Sequence, residues 1–267
     1  MQTITDLERV AAAHWRGTEE EWLGDWLLRA AGGFTGRANS ALPLGEPGLP
    51  LDDALTVVSR WYRERGLAPM IAVPVPLDGE VVGEAADPGE ADGRGRELDE
   101  QLVRRSWPIR QDPAFFMVAD LPLAIPAAEI VGGREVLASP EPDDAWAARY
   151  HYRGQDHLPS VARQVLTSAQ EQSFVSIRDG DEVLAIARLS IANGWAGLTA
   201  VEVDPGHRRQ GLGVVITAAA CAVAERRGIS RAFLQVGVDN TPAQALYKRL
   251  GFRNSHRYHY RVAPVQR

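Results

Sequence analysis

The segment Val201–Gly213 has the residue types and the spacing of an anion-binding loop. Alternating apolar residues at its start predict a strand, and a long apolar helix follows the segment. Gly206 and Gly211 allow a tight turn whose backbone can come close to a ligand. The first N–H groups of a helix have no intrahelical partner and lie at the positive end of its dipole, and Arg208 and Arg209 add positive charge beside them. The pattern therefore predicts a loop that holds a pyrophosphate through backbone N–H groups.

Two other glycine-rich nucleotide loops are excluded by the neighbouring residues. A P-loop needs Lys and then Ser or Thr after its second glycine, but Gly211 is followed by Leu212 and Gly213. A dinucleotide-binding fingerprint needs a third glycine three positions after Gly213, where Ile216 stands instead. The predicted loop therefore has neither the magnesium-binding hydroxyl of the first motif nor the third glycine of the second.

The sequence here resembles the GCN5-related N-acetyltransferases. Their acyl-CoA signature reads Gln or Arg, any two residues, Gly, any residue, and Gly or Ala, and Arg208–Gly213 matches it after a strand that ends in Val203-Asp204-Pro205. A second family segment is matched by Leu234–Asn240 followed by Ala243–Phe252. Two motifs in the correct order, with a helix between them, are more specific than either alone.

The resemblance implies a co-substrate, acetyl-CoA, and a role for each matched residue. Backbone N–H groups of the loop would hold the CoA pyrophosphate beside Arg208, and the loop residues concerned are Arg209, Gln210, Gly211, Leu212 and Gly213. Backbone groups of Val201 and Val203 would pair with the pantetheine and the acyl group, and Asn240 would contact the pantetheine. Tyr247 would protonate the leaving thiolate.

The chemistry of acyl transfer to an amine leaves the general base open. The reaction needs a neutral amine, a donor for the oxyanion and an acid for the thiolate, but neither a metal nor a covalent intermediate. Many family members carry Glu where this chain has Gln235. Glu202 is the nearest carboxylate on the central strand and is our candidate catalytic residue, or else an ordinary alternating polar residue. His256 and His259 are either a water-mediated base or surface histidines.

Several of these residues have simpler structural interpretations. Tyr247 shares a helical face with apolar residues and could pack in the core, and Asn240 could merely begin a turn capped by Thr241. Cys221 lies on an apolar helix face, which favours a buried small side chain over a nucleophile. Trp195 is expected in a turn between strands, where it could line a substrate cleft.

The elements predict an α+β fold of two tandem acyl-CoA N-acyltransferase-like domains, each a mixed, mostly antiparallel sheet flanked by helices. The proposed division is a degenerate domain at 1–136, a linker at 137–146 with two prolines and several acids, and an acetyltransferase domain at 147–267. Gly45–Pro50 stands where the first domain would need its phosphate loop, but prolines and Glu46 suit no phosphate. Arg29 and the segment Arg37–Ser40 are polar within apolar surroundings, which places them either in a cleft between the halves or at a sheet edge.

Local patterns predict the elements of the first half. Thr5 and Glu8 read as a capping box before the first helix. The expected strands and helix that follow are Trp26–Ala30, Arg37–Leu42, Asp52–Arg65, Met70–Val75 and Phe115–Ala119. The acidic stretch Asp78–Glu100 is expected to be a mobile, solvated excursion.

Charge and composition exclude several function classes. The chain has 267 residues and a net charge of −6, yet the part from Pro205 onward has 11 basic residues and two acids. An acidic protein with one local basic region does not fit a general nucleic-acid binder. The sequence has no apolar run long enough for a membrane span and no signal-peptide pattern, which predicts a cytoplasmic protein. A single cysteine excludes an internal disulfide and a cysteine-cluster metal site.

We therefore expect an acetyl-CoA-dependent N-acetyltransferase that acts on the amine of a small molecule, without a metal. The acidic first half would favour a cationic amine. The alternatives are a non-catalytic acyl-CoA sensor or scaffold, which Gln235 favours, and an acetyltransferase for protein amines. A homodimer is left open, and no nucleic acid or membrane partner is expected.

Overall fold

The computed structural model describes residues 2–77, 93–123, 134–151 and 158–264, except for the side chains of Gln111 and Asp112. The strands of this part are β1 Glu19–Leu23, β2 Trp26–Ala30, β3 Leu42–Pro43, β4 Met70–Val75, β5 Ile109–Asp120, β6 Glu135–Ser139, β7 Glu171–Asp179, β8 Glu182–Ala192, β9 Trp195–Val203, β10 Arg231–Gly237 and β11 Arg253–Val262. The α-helices are α1 Ile4–His14, α2 Leu51–Glu64, α3 Gly93–Arg104, α4 Asp144–Arg149, α5 Val161–Leu166, α6 Leu212–Glu225 and α7 Thr241–Arg249.

Eight strands form one mixed sheet in the order β4-β11-β5-β10-β9-β8-β7-β6, and β1-β2-β3 form a small second sheet. Only β9 and β10 pair in parallel within the large sheet. Helices flank the sheet, so the predicted α+β class with mostly antiparallel strands is confirmed.

The large sheet draws strands from both predicted halves. β5 lies between β10 and β11, and β4 pairs with the far edge of β11. The expected linker at 137–146 holds the end of β6 and the start of α4. The division into two domains stays a prediction. The hydrogen bonds of the large sheet connect strands that lie on both sides of the proposed boundary.

The two faces of the sheet are covered differently. On one side α6 packs on β7, β8 and β9 and forms the main core, which we call the α6 face. On the other side α1 packs on Phe116, Val118 and Phe233, and we call this the α1 face. β10 alternates between them, because Leu234 and Val236 contribute to the α6-face core while Phe233 contributes to the α1-face core. β2, β4 and α2 enclose a separate core.

Helix α1 ends in a buried histidine that joins it to the sheet. His14 is 1% exposed, with Nδ1 2.9 Å from Ser190 Oγ and Nε2 3.1 Å from the carbonyl oxygen of Ala192. A Cβ at Gly197 would lie 2.7 Å from His14 Nδ1, so only glycine lets β9 pass this ring. The helix begins two residues earlier than predicted, since the capping box is formed by Thr3 and Asp6.

Two further local predictions are wrong. The expected strand Arg37–Leu42 is extended only at its end, where Ala41 forms a bridge with Ile71 and Leu42 begins β3. Residues 37–40 form a turn instead, because the Asn39 side chain accepts from the N–H groups of Ala31 and Gly33 and donates to two carbonyl oxygens of the same turn. The acidic excursion lies outside the described residues at 78–92, but its end forms α3, anchored by the buried Leu102. Within the described residues, no helix is long and apolar enough to cross a membrane.

Candidate active site

The turn between β9 and α6 exposes backbone N–H groups at the start of that helix. Asp204 holds its first part, since Oδ2 accepts from the Gly206 N–H at 2.9 Å and lies 2.9 Å from His207 Nδ1. Arg209 and Gly211 then adopt left-handed backbone conformations with φ of 61° and 82°. Within the described residues, no backbone acceptor bonds to the N–H groups of residues 208–211. The turn can therefore donate several hydrogen bonds to an anion.

Positive charge surrounds the turn. Arg208 and Arg209 are exposed, and Arg134 donates to the side-chain oxygen of Gln210 at 3.4 Å. Asp204, the nearest carboxylate on the turn, is neutralised by Arg149. The binding roles predicted for these residues stay predictions, but the local charge suits a pyrophosphate.

Two residues of the signature have packing roles. The Leu212 side chain is buried in the α6-face core, so only its backbone can reach a ligand. A Cβ at Gly213 would lie 2.6 Å from Leu246 Cδ1, so this glycine lets α7 approach α6. Gly211 adopts a positive φ of 82°, and Gly213 meets a steric requirement of the helix pair. The close approach of this backbone to a ligand stays a prediction.

Three side chains behind the turn have the atom types of a metal site. Glu182, Asp204 and His207 bring one potential ligand atom each to within 4.8 Å of one another. Asp204 already bonds to Gly206 and His207 and pairs with Arg149, which fixes the turn. The bonds of Asp204 therefore give these side chains a structural role, which is to hold the loop in place.

Strands β9 and β10 separate beside this turn. They are paired only along Ala196–Leu198 and Ala232–Leu234. Beyond that point β9 bulges at Ala200, where φ is 51°, and its register against β8 shifts. The backbone of the end of β9, which includes Val201 and Val203, therefore faces an opening in the sheet instead of a neighbouring strand. An extended ligand chain can pair with such an edge.

Glu202 and Gln235 lie on opposite sides of this opening. Their neighbours in sequence contribute to the α6-face core, so both side chains point to the α1 face. Glu202 accepts hydrogen bonds from the backbone N–H of His151 and lies 3.0 Å from its Nδ1. Gln235 accepts from Arg37 at 2.9 Å. The carboxylate proposed as a base and the amide that replaces the usual Glu are thus both bonded to residues outside the signature.

Tyr247 lies on the other face, in the α6-face core. Its side chain packs edge-to-face against Phe252, and burial raises the pKa of its phenol to about 12. Such a phenol stays protonated at neutral pH and can donate a proton. Core packing and proton donation are therefore compatible at this position, and the catalytic role stays a prediction.

Asn240 is the N-cap of α7, where Thr241 was expected to cap. Its Oδ1 accepts from the Ala243 N–H at 3.2 Å, and Thr241 is the first residue of the helix. The contact of Asn240 with pantetheine stays a prediction, but its side-chain oxygen already has a structural use.

The two histidines near the end of the chain are not surface residues. His256 is fully buried, with Nε2 2.9 Å from Glu8 Oε1, and His259 Nε2 lies 2.6 Å from Asp99 Oδ1. Glu8, expected in a capping box, is buried instead. A carboxylate in the same helical stripe as Ala11 and Trp15 was the sequence signal for a buried partner.

A small cavity lies on the α1 face beside Gln235. Residues of the first half supply most of its walls, and its polar side chains include Glu8, Arg29 and Arg37. The cleft between the halves, one of the two positions considered for these arginines, is where the structure places them. Trp195, in contrast, is buried at the start of β9 and lines a different cavity, with Asp120 and Arg231.

The chain matches the family described as "Probable histone acetyltransferase Rv0428c C-terminal" over residues 2–90 and 97–261. It is 31% identical over 273 residues to "Probable histone acetyltransferase Rv0428c" of Mycobacterium tuberculosis, covering 98% of this chain and 74% of that protein.

Two solved structures share the fold. A GCN5-related N-acetyltransferase from Kribbella flavida has a TM-score of 0.67 at 20% identity and covers 100% of this chain and 98% of that one. A tandem GNAT protein from the clavulanic acid biosynthesis pathway has a TM-score of 0.58 at 16% identity and covers 81% and 70%. The family match and the 31% identical relative show that the chain belongs to the Rv0428c C-terminal family, and the two solved structures show that it shares the fold of GCN5-related N-acetyltransferases.

Proposed function

We propose that this N-acetyltransferase uses acetyl-CoA and transfers the acetyl group directly to the amine of a small molecule. The observation that carries the proposal is the exposed N–H turn at Gly211, placed beside an opening in the sheet at Ala200. The pyrophosphate would bind the turn, the pantetheine would extend along the free edge of β9, and the thioester would reach the opening.

The residues around the opening suit direct transfer. The amine would attack the thioester carbon from the α1 face, where Glu202 can accept its proton, directly or through water. The C–S bond then breaks, and the thiolate takes a proton from Tyr247 on the α6 face. Acid and base lie on opposite faces of the sheet, which matches a reaction through the opening.

A small acceptor is favoured because the first half covers the α1 face. The cavity beside Gln235 measures about 20 Å³ and is walled by α1, the turn at Arg37 and β11. A protein amine would need an open groove at this place. The relative named as a histone acetyltransferase makes a protein acceptor the second candidate.

The first test is calorimetric titration of the protein with acetyl-CoA, beside Gly211→Glu. The matched control is Gly228→Glu, because Gly228 is also exposed, has φ of 77° and lies at the other end of α6. We expect binding by the parent and the control and loss of binding in Gly211→Glu. Equal binding by all three proteins would contradict the assignment of the loop.

The second test separates an enzyme from an acyl-CoA sensor. Tyr247→Phe keeps the packing against Phe252 and removes only the hydroxyl. We expect turnover to fall by roughly 10²–10⁴ while the affinity for acetyl-CoA is unchanged. Unchanged turnover would exclude Tyr247 as the acid, and the absence of turnover with every amine tested would favour the sensor.

A further inference from the structure

Three arginine side chains meet on the α1 face near the opening, and we call them the arginine cluster: Arg29, Arg37 and Arg188. The guanidinium carbons of Arg37 and Arg188 lie 4.7 and 5.1 Å from the ring centre of Trp15. Arg29 and Arg37 line the same cavity, next to Gln235. Two of these cations thus share one small cavity, and the third contacts the same indole ring as Arg37.

Arg188 is buried without a counter-charge. Its side chain is fully inaccessible, and it donates to the carbonyl oxygens of His14 and Leu166 and to the hydroxyl of Thr199. All three acceptors are neutral. Burial, and then repulsion by Arg37, lowers the pKa of this guanidinium to about 9.

The other two arginines also bond to neutral groups. Arg29 donates to the backbone and the hydroxyl of Ser40, and Arg37 donates to Gln235. In the part of the chain that the structure describes, no carboxylate lies within salt-bridge distance of any member of the cluster. Glu8 is the one carboxylate among the described residues that line the cavity, and it is bonded to His256.

Arg29 and Arg188 are buried and Arg37 is half-buried, while the carboxylate of Glu8 at the same cavity is bonded to His256 and not to an arginine of the cluster. Charged side chains in protein interiors are normally paired, because burial of an unpaired charge is unfavourable. Guanidinium groups bind carboxylates with paired, charge-assisted hydrogen bonds. The cavity has about the volume that one water-sized group needs, so a small anionic group can enter it while the rest of a ligand stays outside.

We propose that the acceptor is an amine that also carries a carboxylate, and that Arg37, together with Arg29, binds this carboxylate. The inference rests on the proposed function, since it names the class of acceptor for that reaction. Arg37 contacts Gln235 at the edge of the opening, so the carboxylate and the reacting amine lie only a few atoms apart, as in an amino acid. This inference reverses the preference for a cationic amine that the acidic charge of the first half predicted.

The test compares acceptors that differ only in the carboxylate. Phenylalanine is paired with phenethylamine and leucine with isopentylamine, and O-phosphoethanolamine tests a phosphate that lies farther from the amine. Release of CoA from acetyl-CoA gives kcat/KM for each amine. The proteins are the parent, Arg37→Gln, which removes the charge, Arg37→Lys, which keeps it, and Arg60→Gln, an exposed control on α2.

We expect the parent to prefer each amino acid over its decarboxylated partner. Arg37→Gln should lower kcat/KM for the amino acids roughly ten- to a hundredfold, the range of one charge-assisted hydrogen bond. The decarboxylated amines should change by no more than about twofold, Arg37→Lys should recover part of the loss, and Arg60→Gln should have no effect. Calorimetric binding of N-acetylphenylalanine, which needs no turnover, should weaken in Arg37→Gln by the same factor.

Three results would overturn the inference. The first is a preference of the parent for decarboxylated amines, and the second is phosphoethanolamine as the sole acceptor. The third is an equal loss for all amines in Arg37→Gln, which would mean that the cluster acts on the transfer step itself.

The binding measurement separates this inference from the proposed function. Arg37-dependent binding of N-acetylphenylalanine without transfer to any amine would support the anion site and contradict the acetyltransfer. Transfer without any preference for a carboxylate would support the acetyl transfer and contradict the anion site.

Discussion

His14 should make the folded protein sensitive to mild acid. The ring is buried between α1 and β8, where Nε2 lies 3.1 Å from the Ala192 carbonyl oxygen and Nδ1 lies 2.9 Å from Ser190 Oγ. Burial lowers the pKa of this imidazole to about 4, and the nearby cation of Arg188 acts in the same direction. The folded chain therefore keeps His14 uncharged at a pH where the unfolded chain protonates it.

The direction and size of the effect follow from the two pKa values. An unfolded His14 takes up its proton near pH 6.5, whereas the folded one does so near pH 4, so acidification between these values favours unfolding. The gap corresponds to about 3 kcal/mol once both states are protonated. The loss is about 1 kcal/mol at pH 5.5 and about 2–3 kcal/mol at pH 4.5.

The assay is urea unfolding of the parent and of His14→Gln at pH 7.5, 5.5 and 4.5. The variant loses packing and is less stable at pH 7.5, but it has no titrating group at this site. Its deficit relative to the parent should therefore shrink by about 2–3 kcal/mol on going to pH 4.5. Other titrating groups are common to both proteins and cancel in the difference.

Ser190→Ala is the matched control, because it damages the same contact and leaves the imidazole in place. Its deficit should not shrink in acid. A deficit of His14→Gln that is equal at pH 7.5 and 4.5 would refute the reasoning, since it would mean that His14 is protonated equally in the folded and unfolded chains.

Three further substitutions test the packing and the caps around the site. Gly213→Ala should destabilise the protein by about 1–3 kcal/mol, because the added methyl group would clash with Leu246. Urea unfolding should show that adding Leu246→Ala recovers part of this loss. If the losses of the two single variants simply add in the double variant, the contact is contradicted. Asn240→Ala should lower stability by about 0.5–2 kcal/mol while Asn240→Ser retains most of it, and a thermal scan in which both variants behave alike would count against the cap. Asn39→Ala should cost about 2–4 kcal/mol, because it leaves several buried backbone groups unpaired, and an unchanged melting temperature would be inconsistent with that.

Local patterns predicted the parts of the site that are built from neighbouring residues. The strand Met70–Val75 and the helix that follows Gly211 agree with the structure, because alternation, helical periodicity and a glycine at the helix start are all local signals. The turn at Arg208–Gly211 was predictable for the same reason. Its exposed N–H groups follow from left-handed backbone at Arg209 and Gly211, a conformation that glycine adopts readily.

The parts that the sequence did not predict depend on contacts between distant residues. Glu8 meets His256 across 248 positions, and Arg37 meets Gln235 across 198. No periodicity relates such pairs, so His256 was expected at the surface and the arginines were left between two positions. The expected strand Arg37–Leu42 failed because hydrogen bonds of one side chain, Asn39, outweigh the β propensity of its neighbours.

The position of β11 in the sheet also determines the order in which the protein can be assembled. Met70 pairs with Val262 and Phe116 with His256, so β4 and β5 leave the ribosome long before the strand that joins them. Until then their edges have unpaired N–H and C=O groups that can bind another nascent chain. Closure over such a sequence separation is slow, so a growing chain needs protection from aggregation until β11 is synthesised. The same interleaving ties the two halves into one cooperative unit, in which neither sheet region is complete alone.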